Sequence, residues 1–297
     1  MELKINRLTK RYGNGHVALK DLTIDLKPGI LGLLGPNGAG KSTLMRILST
    51  VTQPTGGQVL LDGVDIVKFP NEMRKVLGYL PQDFGVYPNL SAVEFLQYIG
   101  ALKGLSPRQS KKRIDELMEL LNLKDASKKP IGSYSGGMRQ RVGIAQAIMN
   151  HPKILIVDEP TVGLDPEERV RFRNLLSDLS GSQIIIFSTH IISDVESIAS
   201  DIVIMNKGSL IETGTPESLI GKTAGNVWDC VVPHESLAQI RNQMIISNSI
   251  RRSDGTHVKV ISDHAPTANA QIATPGLEDA YLYFLNKSRN RIIKEGA

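Results

Sequence analysis

Residues 35–43 read "GPNGAGKST", between the apolar run "ILGLL" and a stretch with helical character, "TLMRILST". Gly35, Gly40, Lys41 and Ser42 stand at the spacing of a phosphate-binding P-loop, with a strand expected before the loop and a helix after it. The residue types suit that chemistry. Glycines let backbone N–H groups converge on phosphate oxygens without a Cβ in the way, and a helix N-terminus adds a favourable dipole. The full loop, Gly35, Pro36, Asn37, Gly38, Ala39, Gly40, Lys41, Ser42 and Thr43, is expected to wrap the phosphates of ATP. Lys41 would supply a point charge to the β and γ phosphates and the Ser42 hydroxyl a ligand to Mg²⁺.

Such a loop needs an acid beyond a hydrophobic strand to order the metal. "ILIVDEP" provides one, Asp158, followed at once by Glu159. A carboxylate beside the metal and facing the γ-phosphate can polarise the attacking water as a general base, so Glu159 is the candidate base and Asp158 the candidate metal ligand.

Four more stretches narrow the reading. "SYSGGMRQR" at 133–141, "GLDP" at 163–166, "FSTH" ending at His190 and "YLPQ" ending at Gln82 resemble the signature, D-loop, switch-histidine and Q-loop motifs of ABC-type ATPases, in that family's order. The resemblance covers residues 1 to about 220. It implies that Tyr12, in "KRYGNG", stacks on adenine with Val17 alongside. It further implies that Gln82 approaches Mg²⁺ and the attacking water, and that His190 touches the γ-phosphate. Ser135, Gly136 and Gly137 would bind the γ-phosphate of nucleotide held by a second subunit, and Asp165 would line the interface between the two. The signature departs from the commoner family pattern at Tyr134, where Leu is usual, and at Met138, where Gln is usual.

These residues need a scaffold. "LKINRL", "LTIDL" and "QVLLDGVDI" alternate like half-buried strands. "GILGLLG", "KILIVDEP" and "QIIIFSTH" are continuous apolar runs, the mark of central parallel strands covered on both faces. Between about 84 and 150 no strand pattern appears. There Ser91 and Glu94 stand at capping-box spacing, and Pro107 opens a second helix whose apolar positions recur on one face. The fold expected is α/β, a P-loop NTPase core with an antiparallel β subdomain and a helical insertion. Residues 1–220 would form this ATP-binding domain. Residues 221–297 would form a small C-terminal α+β appendage, with a hairpin near Asp254-Gly255, a closing helix in "PGLEDAYLYFLNK" and a basic tail.

The chain has 297 residues, 41 % of them hydrophobic and 22 % charged, enough to bury a sizeable core. The single cysteine, Cys230, excludes a disulfide within the chain. No apolar run approaches the roughly 20 residues that cross a bilayer. The net charge of +5 is spread along the sequence, so no nucleic acid is expected as a partner. With one P-loop and one signature, the second half of the site must come from another chain, in a homodimer or heterodimer. ABC-type ATPases drive membrane transporters or serve as soluble factors in translation and DNA repair. The latter usually carry tandem nucleotide domains or long coiled coils, which this sequence lacks. The expectation is therefore a transporter subunit, cytoplasmic and peripheral on the inner face of the membrane, working with a separate transmembrane permease. "TPGLEDAYLYFL" resembles the closing motif of exporter ATPases, so export is expected over import.

Overall fold

The computed structural model describes residues 1–161 and 163–295, except the side chains of residues 239 and 290–295. The final two residues of the expected appendage and of its basic tail lie outside the described residues.

The apolar runs form the middle of a six-stranded sheet. Its order is β10 (Ser209–Gly214), β9 (Asp201–Asn206), β3 (Gly29–Leu34), β8 (Ile184–Thr189), β7 (Ile154–Asp158) and β6 (Leu77–Leu80). All neighbours run parallel except β9 and β10. Every residue of β7 and β8 is buried. That is why they read as unbroken hydrophobic runs, since both faces are covered. On one face, Ile154, Ile156, Ile184 and Ile186 pack with Leu44 and Leu48 of helix α1 (Lys41–Leu48). Leu155, Val157, Ile185 and Phe187 point to the other face and a second core.

Above α1 lies a four-stranded antiparallel sheet, ordered β2 (Val17–Leu26), β1 (Leu3–Arg11), β4 (Gly56–Leu61) and β5 (Val64–Asp65). Two local readings of the sequence change here. "QVLLDGVDI" is not one strand but a hairpin. Asp62 and Gly63 both take positive φ, 46° and 85°, as a two-residue turn between β4 and β5 requires. Lys207 and Gly208 do the same between β9 and β10, at 47° and 82°, closing a hairpin absent from the strands expected above.

Helix α2 (Pro70–Val76) leads into β6, and the helical insertion follows with α3 (Ala92–Leu102), α4 (Pro107–Leu120) and α5 (Gly136–Ile148). The Ser91–Glu94 capping box is present in both directions. Phe95, Leu96, Ile114, Leu117 and Met118 bury against Ile144 and Ile148 of α5, so the insertion is continuous with the second core. Helices α6 (Pro166–Leu179) and α7 (Ile192–Ile198) follow β7 and β8.

Beyond α8 (Pro216–Gly221) the chain forms a second antiparallel sheet. Its order is β12 (Ile245–Arg252), β13 (Gly255–Ile261), β11 (Val227–Val232) and β14 (Gln271–Ile272). Its one small core holds Cys230, Val232, Val258 and Val260 under Leu237 and Ile240 of α9 (Leu237–Gln243). The closing helix α10 (Leu277–Glu295) touches β12 and β13 of this sheet but does not bury its apolar side chains there. Its Leu277, Ala280, Phe284 and Leu285 join the larger core, against α7, α8 and β10. None of the described helices is long and apolar enough to cross a membrane.

Candidate functional site

The candidate residues gather where a parallel sheet offers a ligand site, at the carboxyl ends of its strands. β3 ends at Leu34, β7 at Asp158 and β8 at Thr189, and these strands are neighbours in the order β3, β8, β7. Side chains leaving three adjacent strand ends therefore converge.

The loop after β3 delivers residues 35–40 to the first turn of α1, with Gly40 at the helix N-terminus. Gly40 has φ 103°, and a Cβ there would stand 2.5 Å from the Ala18 carbonyl oxygen. Only glycine fits both the dihedral and the space. Lys41 is 5 % exposed. Its Nζ donates to the Gly35 carbonyl at 2.6 Å and the Pro36 carbonyl at 3.3 Å, and lies 3.7 Å from Glu159 Oε1. Burial pushes the Lys41 pKa down, while Glu159 and Asp158 oppose that shift by favouring the ammonium. A buried cation inside a ring of backbone dipoles is suited to a polyanion.

Glu159 itself has φ 46°, a strained conformation for a residue with a Cβ. His190 Nδ1 lies 3.1 Å from its Oε2. Lysine and histidine thus flank one carboxylate on its two oxygens. The strain is held by Ser188, which is fully buried. Its hydroxyl donates to Asp158 Oδ1 at 2.6 Å and accepts from the Glu159 N–H at 3.0 Å. Ser188 stands inside the quoted "FSTH", a motif in which the family resemblance singles out only the histidine. The signal available was a small hydroxyl closing an apolar strand.

Ser42 is exposed in the first turn of α1 and Asp158 is buried at the end of β7. A hydroxyl and a carboxylate are the hard oxygen donors that Mg²⁺ takes, so the residues present fit that ion. The hydroxyl of Tyr12 pairs with Thr43 Oγ1 at 3.3 Å, which brings the aromatic ring to the loop. His16 stacks on that ring at 6.5 Å between centroids, and Val17 is half-buried at the start of β2.

The other candidates are not in this cluster. Gln82 is exposed and lines a shallow cleft of about 340 Å³ with Gly136 and Arg139 of α5. Among the described residues no hydrogen bond joins it to Lys41, Asp158 or Glu159. Ser135 caps α5, its Oγ accepting from the Met138 N–H at 3.2 Å, and Asp165 caps α6 by accepting from the Glu168 N–H at 2.8 Å. Gly137 lies so close to Glu168 that a Cβ would meet its Oε2 at 2.8 Å. Arg141 of α5 pairs with the same Glu168 at 3.2 Å, fastening the two loops to each other. That pair carries no local sequence signal, because a helix-to-helix contact between distant segments has no local pattern. The two departures in the signature have local explanations. Tyr134 is buried and its hydroxyl donates to the Ala126 carbonyl at 2.6 Å, while Met138 packs on the larger core.

Comparison with known proteins agrees with this arrangement. The family model described as ABC transporter matches residues 19–162. An uncharacterized ABC transporter ATP-binding protein of Bacillus subtilis (strain 168), YxlF, is 33 % identical over 295 residues, 94 % of this chain and 98 % of that one. The chain belongs to the ABC transporter ATP-binding proteins. Within the family, the linearmycin resistance ATP-binding protein LnrL of Bacillus subtilis (strain 168) is 31 % identical, covering 94 % of this chain and 97 % of its own. Among solved structures, the dimeric post-hydrolysis state of the ATP-binding cassette MJ0796 bound to ADP and Pi matches with a TM-score of 0.66 and 27 % identity. It covers 72 % of this chain and 98 % of that one. The ABC ATPase cassette is therefore the fold of this chain too.

Proposed function

We propose that this chain binds and hydrolyses ATP as the motor subunit of an ABC exporter, with residues 1–220 as the ATP-binding unit and 221–297 as its appendage. The observation that carries the reading is the convergence of Lys41, Glu159 and His190 at three adjacent strand ends. Lys41 and the loop N–H groups hold the phosphates, and the face of Tyr12, with Val17, receives the adenine. Ser42 and Asp158 would hold Mg²⁺, which would neutralise phosphate charge, and Gln82 would have to move in from its separate cleft to reach the ion. Glu159 accepts the proton of the attacking water, and His190, already on the Glu159 carboxylate, is placed to touch the γ-phosphate.

The exposed Gly136, the Ser135 loop and Asp165 stand apart from the Lys41 cluster, as surfaces that act on a second subunit's nucleotide would. The dimeric state of the MJ0796 cassette supports this arrangement. ATP closes two such subunits, identical or different, hydrolysis releases them, and a separate transmembrane permease follows the motion. The likeness to a linearmycin resistance protein along nearly the whole chain favours outward transport.

Glu159→Gln tests the chemical core. It is expected to bind ATP with unchanged affinity, to lose at least a hundredfold in phosphate release, and to accumulate as an ATP-bound dimer in size-exclusion chromatography. Turnover at the parental rate would reject Glu159 as the base. Purification of a multi-span protein with this chain from detergent-solubilised membranes, and greater drug susceptibility of cells lacking the pair, test the exporter assignment.

A further inference from the structure

Helix α6 is fastened on two sides by ion pairs that the binding and hydrolysis of ATP do not by themselves explain. One is Glu168 with Arg141 of α5. The other joins α6 to α7, where Arg173 Nη1 lies 3.0 Å from Asp194 Oδ1. Asp194 is 1 % exposed, and its second oxygen, Oδ2, makes no hydrogen bond among the described residues. A carboxylate buried behind a single guanidinium adds little net stability, since apolar side chains of similar volume fill such a space as well or better. What the pair does supply is a fixed separation between two helices.

The elements so fixed matter. Asp194 sits in the first turn of α7, four residues after His190. The Asp194 N–H donates to the Ile191 carbonyl at 3.1 Å, and the Ile191 N–H donates to Thr189 Oγ1 at 3.0 Å. The backbone from Thr189 to Asp194 is thus one hydrogen-bonded run with His190 inside it. At its other end α6 begins at Asp165, whose carboxylate caps it. Arg173 follows Asp165 by roughly 12 Å of helix rise.

We propose that Arg173 and Asp194 are positioning residues that hold the His190 segment to α6, so that a partner subunit docking at Asp165 sets the place of His190 over the γ-phosphate. The inference rests on the assignment of His190 and Asp165 given under Proposed function. Among the described residues, neither member of the ion pair hydrogen-bonds to Lys41, Glu159 or His190. Displacement of a reacting group by about 1 Å can cost about a hundredfold in rate, so a loosened α7 acts on kcat and leaves ground-state binding alone.

The test uses Arg173→Met/Asp194→Leu in the full chain, which replaces the ion pair with apolar volume. The expected result is a melting temperature within a few degrees of the parent, unchanged affinity for a fluorescent ATP analogue, and a kcat lowered about tenfold or more. Faster amide exchange at residues 189–193 should accompany it. Arg173→Lys alone, with Asp194 retained, should keep most of the rate, because it leaves a positive charge opposite Asp194. Where the double variant does not fold, Arg173→Gln/Asp194→Asn, which removes both charges and keeps polar groups facing each other, carries the same expectation. Parental kcat in either double variant would overturn the proposal. So would a rate loss that tracks lost melting temperature and is as large in Arg173→Lys. A Glu159→Gln control run alongside separates the two levels. If that control turns over ATP normally, the site assignment fails, whereas a dead control with a fully active double variant sinks only the positioning role.

Discussion

Ser188 joins the candidate metal ligand to the candidate base through one oxygen, donating to Asp158 and accepting from the Glu159 backbone. The arrangement explains how Glu159 keeps a positive φ of 46°, because the strained N–H has the hydroxyl and the Ser188 carbonyl, at 3.2 Å, to hold it. Removing a buried hydroxyl leaves its partners unsatisfied at a cost of about 1–3 kcal/mol. Ser188→Ala should therefore lower kcat about tenfold through misorientation of the two acids and lower the melting temperature by a few degrees. Nucleotide affinity should change little, since the Lys41 loop is untouched. Parallel measurement of phosphate release and nucleotide binding decides it: a variant with the parental rate would show that the acids hold their places unaided. At this scale the sequence was most informative where chemistry demands a residue type. Gly40, Lys41, Asp158 and Glu159 were legible as candidates from the residue types that phosphate, metal and water chemistry calls for, and His190 from the resemblance to ABC-type ATPases. Ser188, Glu168 and Arg173 act through other side chains, and their types alone say nothing of that.

The helical insertion shows how far local pattern reaches at the scale of the element. Ser91 and Glu94 stood in the sequence as a cap, and the structure closes both hydrogen bonds, Glu94 Oε2 receiving the Ser91 N–H at 2.8 Å and Ser91 Oγ receiving the Glu94 N–H at 3.3 Å. Loss of an N-cap costs about 1 kcal/mol. Ser91→Ala is expected to lower the unfolding free energy in a urea titration by that amount and to leave ATP binding intact; no change at all would mean the cap is idle. Continuous apolar runs marked the parallel strands for the same reason, since a strand covered on both faces is apolar along its length. β7 and β8 turn polar only at their carboxyl ends, at Asp158, Ser188 and Thr189. Short elements were harder. The two-residue turns at Asp62-Gly63 and Lys207-Gly208 each divide what periodicity alone reads as one stretch or none. Sheet order was hidden as well, because it depends on crossovers between segments more than a hundred residues apart, as in the pairing of β3 with β8.

Across the whole molecule, the unexpected feature is where the chain ends its path. Residues from β11 to β14 build their own sheet, yet α10 crosses back to the core of the ATP-binding unit. There Leu277, Phe284 and Leu285 are 1 %, 5 % and 8 % exposed. Three large apolar side chains buried to this degree contribute about 6 kcal/mol, against a total stability of about 5–15 kcal/mol for a folded domain. Lys259 of β13 ties the helix to the small sheet, reaching Asp279 Oδ2 at 3.2 Å and the Thr274 carbonyl at 3.0 Å. Removal of residues 222–297 should thus do more than detach an ornament. It uncovers the α7 surface beside the His190 segment, and the truncated chain is expected to melt at least 10 °C lower and to hydrolyse ATP more slowly. Phe284→Ala isolates the cause, since it keeps the appendage and opens one cavity, with an expected loss of about 3 kcal/mol in denaturant unfolding. A truncated chain with parental melting and turnover would mean that α10 rests on the core without stabilising it, and the appendage would then be a separable addition.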